Sequence, residues 1–113
     1  MILLFKLISI KITFDENKYI KEIHIEGHAP VNESFSLECS IVSTLAETMY
    51  IAFKDIYKNS NLEKENGKLK ITIMEKDKKI REDIERFIYP FLVMFKKIST
   101  DFKNSVLLQF IKK

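Results

Sequence analysis

Two residues with chemistry to offer stand at the ends of one short segment: His28 and Cys39, eleven positions apart. Cys39 is the chain's only cysteine, so no internal disulfide competes for it. Ser36 is a candidate N-cap for the apolar-periodic run that follows, which places Cys39 in the first helical turn. Unpaired amides and the positive end of the helix dipole favour an anion there, and hence a thiolate over a thiol. A neighbouring imidazole completes the minimum for attack on an amide: the thiolate adds to the carbonyl, the histidine protonates the leaving amine, and amides at the helix start hold the oxyanion. Ser43, one turn beyond Cys39, lies on the same helix face and is placed to hydrogen-bond the histidine or a substrate. Plainer readings stand beside these. A lone cysteine on an apolar helix is commonly a small core residue, and a loop histidine is commonly satisfied by backbone. A zinc site from His24, His28 and Cys39 lacks a fourth ligand and any short ligand pair, so no metal or cofactor is expected.

The elements that must position these residues are legible from periodicity. Ile8, Ile10, Ile12 and Phe14 alternate with Ser9, Lys11 and Thr13, a strand with one buried face. A polar turn, Asp15 to Lys18, leads to a second strand from about Tyr19. Ile23 and Ile25 point one way there, with Glu22, His24 and Glu26 the other, until Gly27 ends the run. His28 to Phe35 has no periodicity and contains Pro30, so it reads as a loop. Val42, Leu45, Ala46, Met49, Phe53, Ile56 and Tyr57 form a helical stripe. A polar link from Asn59 runs to Gly67. Leu69, Ile71 and Ile73 then mark a third strand, and Ile80 to Ile98 a second helix with a kink expected at Pro90. Val106, Leu108 and Phe110 mark a fourth strand. The expected fold is α+β: a two-layer sandwich with both helices on one face of a four-stranded sheet, in the order β-β-α-β-α-β.

Composition agrees with one domain over residues 1–113. The chain is 46% hydrophobic and 12% aromatic, which excludes intrinsic disorder. Nineteen basic against sixteen acidic residues leave +3, and only Arg81 and Arg86 are arginines, so sequence-specific nucleic-acid binding is not expected. The apolar start, Met1 to Leu7, has no cationic segment before it and no small-residue cleavage site after it. No run approaches the roughly 18 apolar residues of a membrane helix. A soluble cytoplasmic protein without a membrane partner is therefore expected. Leu3, Phe5, Leu7, Leu107 and Ile111 alternate out of phase with the core positions. They leave an apolar patch that a homodimer would cover.

Glu26-Gly27-His28-Ala29, a loop, then Cys39-Ser40-Ile41-Val42-Ser43 resembles the signature of the ribosomal-processing cysteine protease family, Prp. The order of elements along nearly the whole chain resembles it too. That resemblance implies a homodimeric α+β enzyme removing a short aromatic-rich N-terminal extension from a large-subunit ribosomal protein (number twenty-seven). It also implies His28 as general base and acid and Cys39 as nucleophile, with Ser43, Ser36, Gly27 and Ala29 as auxiliary or substrate-binding residues. The sequence departs from the family where Pro30 stands for a usual Gly, Ser36 for a usual Asp, and Ile41 for a smaller residue. Ser36 can cap the helix but supplies no negative charge to an imidazolium. The alternative reading is a diverged, non-catalytic dimeric module that binds a ribosomal protein tail or assists ribosome assembly.

Overall fold

The computed structural model describes residues 7–27 and 36–112. Its elements run β1 (Ile8–Phe14), β2 (Ile20–Glu26), α1 (Leu37–Asp55), β3 (Ser60–Glu65), β4 (Lys68–Ile73), α2 (Lys78–Asp101) and β5 (Val106–Lys112). They form an α+β fold whose single described sheet has the order β3-β4-β2-β1-β5. Every pairing is antiparallel except β1 with β5, which is parallel because α2 carries the chain back across the sheet.

The sheet has five strands rather than the expected four. β3 occupies most of the stretch read as a polar link. Its sequence, Ser60 to Glu65, has no apolar alternation: it is an edge strand whose contacts with α1 are largely polar, and Leu62 is its one residue packed on the core. Backbone pairing with β4 holds it in place, through a turn in which Gly67 takes φ +72°. The order of elements is thus β-β-α-β-β-α-β.

The core is one face of this sheet. Ile8, Ile10, Ile12, Ile23, Ile25, Leu69, Ile71, Ile73 and Val106 all point into it. Cys39, Val42, Ala46, Met49 and Phe53 of α1 close over them, with Ile84, Ile88, Phe95 and Ile98 of α2. Ile20 joins them because a register shift between Thr13 and Phe14 changes the phase of the hairpin. Ile56 and Tyr57 fall just past the end of α1, with Ile56 as its C-cap, and Ile80 is exposed. α2 runs unbroken through Pro90. Pro90 lies on the exposed side, where water can take the carbonyl that loses its amide partner. Phe110 is 41% exposed, with its ring 6.1 Å from Phe14 and 5.5 Å from the Lys96 ammonium of α2.

The two helices cross the sheet in opposite directions. At one end, Ser60 Oγ donates to the Tyr57 carbonyl at 2.9 Å, while further along β3 Lys64 pairs with Glu47 at 2.6 Å. The start of α1 therefore lies toward the β3–β4 turn, the end at which Glu26 of β2 pairs with Lys68. α2 begins at the other end, where Glu85 accepts from the Ile20 amide at 2.9 Å. It finishes beside Ile8, whose amide donates to the Ser105 carbonyl at 2.8 Å. Phe53 and Tyr57 of the α1 end meet Phe87 of α2 at centroid distances of 6.0 and 5.5 Å.

Burial pushes the Glu85 carboxyl above the ordinary range. The Ile20 amide and Arg81 pull it partly back, and Asp15 opposes them. As pH rises through the ordinary value of 4.5 the unfolded chain gives up this proton before the folded one, so stability falls until the folded group also ionises. Glu85→Gln lacks this loss. Its stability relative to the parent, from urea unfolding, is expected to rise between about pH 4 and pH 7, and a pH-independent difference would contradict the account.

Candidate active site

Gly27 ends β2 in a conformation that excludes a side chain. Its φ is +96°, and a Cβ there would collide with the Leu7 carbonyl oxygen. Its amide donates to the Gly67 carbonyl at 2.9 Å, which ties the exit of β2 to the β3–β4 turn. The end of β2 is thus a fixed point. His28 and Ala29 themselves lie outside the described residues, as do Pro30 and Glu33.

Ser36 is the N-cap of α1, as its sequence context predicts. Its φ and ψ are −106° and 152°, and its Oγ accepts from the Cys39 amide at 3.2 Å. Its carbonyl accepts from the Ser40 amide at 3.1 Å. Cys39 is therefore the third residue of the helix, in the turn where the dipole's positive end is felt. Because Ser36 already engages the Cys39 amide, an oxyanion forming near the sulfur must turn to other donors of that turn. The amides of Leu37 and Glu38 have no partner among the described residues. Glu38 is the one acidic residue of that first turn.

The Cys39 side chain sits at the margin of the core. It packs with Val42 and Ala46 in the same buried cluster and is 8% exposed, a value matched only by Ala52 among the buried apolar residues. The Cys39 side chain is therefore largely covered. Ser43 is half-buried one turn further along. The structure brings Gly27, Ser36, Cys39 and Ser43 to one end of the sheet, since the helix start and the exit of β2 share that end. His24 is elsewhere, on the sheet face away from the helices, with Nε2 3.3 Å from Glu26. Among the described residues, no group of three or more His, Cys, Asp or Glu side chains is arranged to hold a metal ion. No described helix is long and apolar enough to cross a membrane.

Gly67 is the site-supporting residue that sequence reasoning passed over. The pair Asn66-Gly67 is a common hairpin signal, but the polar run before it carries no strand pattern.

A sheet of this order covered on one face by two antiparallel helices, with a capped cysteine in the first turn of the first helix, suits a small thiol hydrolase. The sequence profile of the family described as cysteine protease Prp matches residues 7–107, and the chain belongs to that family of cysteine proteases. Among solved structures, a Streptococcus mutans protein designated SMU.848 superposes with a TM-score of 0.75 at 18% identity, over 96% of this chain and 97% of its own. An essential ribosomal processing protease Prp from S. aureus, in complex with a covalently linked product peptide, superposes with a TM-score of 0.74 at 15% identity, over 92% and 99%. The same S. aureus protease with a substrate peptide gives 0.66 at 16% identity, over 92% and 99%. At these identities the likeness is one of fold. No curated protein matches the sequence significantly.

Gly27→Ala is expected to cost roughly 1–3 kcal/mol of stability from backbone strain alone, and more if the Leu7 contact forces β1 away. Ser36→Ala is expected to cost about 0.5–2 kcal/mol through loss of the cap, with Ser36→Asp close to the parent. Urea unfolding of the three variants measures all of these effects, and a Gly27→Ala variant as stable as the parent would refute the backbone argument.

Proposed function

We propose that this protein is a cysteine endopeptidase that removes the N-terminal extension of a large-subunit ribosomal protein (number twenty-seven). In this reading Cys39 is the nucleophile and His28 the general base and acid. The observation that supports it most is the family match from residue 7 to 107, which spans both the Gly27–Ala29 segment and Cys39 on its capped helix turn. The S. aureus structures carry bound substrate and product peptides, and their protease is described as ribosomal processing. The reading extends that description to this chain.

The chemistry runs in two halves. The Cys39 thiolate adds to the scissile carbonyl, and amides of the first turn of α1, among them Leu37 and Glu38, stabilise the tetrahedral oxyanion. The carbon–nitrogen bond breaks as His28 gives a proton to the leaving amine, leaving an acyl-enzyme on Cys39. Water, losing its proton to His28, then releases the acid product and returns the Cys39 thiolate beside the protonated His28. In this reading Ser43 and Ala29 are auxiliary or substrate-binding residues, while Gly27 and Ser36 hold the end of β2 and the start of α1. No cofactor enters any step.

A homodimer is part of the proposal. Leu7, Leu107 and Ile111 are 46, 42 and 40% exposed near the β5 edge, an apolar surface of the kind a second copy covers. The cytoplasm, where ribosomal proteins are made, is the proposed compartment.

The test is incubation with a peptide from the N-terminus of the organism's own large-subunit ribosomal protein twenty-seven, read by mass spectrometry. The parent is expected to cut it once. Cys39→Ala and Cys39→Ser are expected to lose cleavage by at least about a thousandfold while unfolding at nearly the parental urea concentration. Cutting by either variant would overturn the assignment of the nucleophile. Binding of the peptide by the parent with no cutting would overturn the catalytic reading in favour of a binding module.

A further inference from the structure

At the end of the sheet opposite Cys39, a cleft of about 630 Å³ opens between the β1–β2 turn and the connection from β4 to α2. Its size falls within the roughly 300–1,000 Å³ of small-molecule sites. Arg81 forms its deep wall and is only 7% exposed. Three acceptors pin the guanidinium: one terminal nitrogen donates to Asp15 Oδ2 at 3.2 Å and to the Ile20 carbonyl at 2.9 Å, and the other donates to the Glu75 carbonyl at 3.3 Å. The Tyr19 ring lies 5.2 Å from its centre. Arginine carries five N–H donors, and here its Nε is buried without a partner. An Arg so immobilised has already lost the rotamer freedom that binding would otherwise cost.

The charge around it is one-sided. Asp15 is matched by Arg81. The Glu75 carboxylate is turned to the amides of Lys76 and Asp77, at 3.2 and 3.1 Å. Asp77 caps α2 by accepting from Lys79 and Ile80, and Glu85 accepts from Ile20; neither lines the cleft. Lys21, Lys76 and Lys78 do line it, and none of them joins an ion pair with a described carboxylate. Met74, 47% exposed, supplies an apolar wall.

We propose that this cleft binds a phosphate-bearing small molecule of nucleotide size. Lys76 and Lys78 face its phosphates together with Lys21, whose ammonium also reaches the Ile73 carbonyl at 3.5 Å; the immobilised Arg81 forms the wall behind them, and Met74 and Tyr19 meet its less polar part. The site is independent of the protease reading, because its residues are remote from Cys39 and peptide cleavage can be assayed separately.

The full chain, labelled with nitrogen-15, is titrated with ADP, pyrophosphate and acetate at constant ionic strength, and its amide signals are followed by NMR. Saturable shifts are expected at Asn17, Tyr19, Lys76 and Lys78 with ADP and pyrophosphate, and none with acetate. The exposed double variant Lys76→Gln/Lys78→Gln is expected to bind both phosphates about tenfold more weakly. Arg81→Lys tests the deep wall in the same way. Shifts that do not saturate, acetate binding as tight as ADP, or unchanged affinity in the double variant would each overturn the proposal.

Discussion

The isoleucine-lined face of the sheet can leave water only beneath two helices, and that requirement decides where Cys39 stands. Ile10, Ile12, Ile23, Ile25, Ile71 and Ile73 are wholly buried. Each such side chain contributes roughly 1.5–3 kcal/mol when removed from water, so no arrangement that leaves the face open competes. α2 is directed by the parallel return to β5 and covers one part of the face. α1 covers the rest, and its last turn is tied to Ser60, whose Oγ donates to the Phe53 carbonyl at 3.5 Å and to the Tyr57 carbonyl just beyond the helix. Its first turn consequently lies over the end where β2 stops.

Two backbone details refine that placement into a candidate reaction site. Gly27 turns the chain out of β2 where a side chain would meet the Leu7 carbonyl, so the end of β2 is fixed by sterics. Ser36 then closes the first turn of α1 on the Cys39 amide. The cap has a chemical consequence: it withdraws that amide from the donors available to an oxyanion and leaves Leu37 and Glu38.

The molecule separates its polar work by place. The sheet face away from the helices carries a lattice of charge, with Lys70 3.5 Å from Glu22 and 3.9 Å from Glu63, and His24 beside Glu26. The far end of the sheet gathers Arg81, Asp15 and Glu85 at the junction of hairpin and helix, where burial makes each hydrogen bond matter more than on the open surface.

Much of this was legible in residue order. Alternation marked β1, β2, β4 and β5 because each has one face against hydrocarbon and one toward water. The helical stripes marked α1 and α2 for the same reason, and Ser36 and Cys39 could be assigned to a cap and a first turn by spacing alone. The motif around Gly27 and Cys39 identified the family before any coordinates. β3 escaped because an edge strand outside the core needs no apolar period: its stability comes from backbone pairing with β4, which leaves no trace in side-chain type. The strand order, the antiparallel crossing of the helices and the burial of Cys39 were decided only by tertiary structure. Each depends on which distant segments share one core, and local periodicity carries no information about partners that lie far apart along the chain.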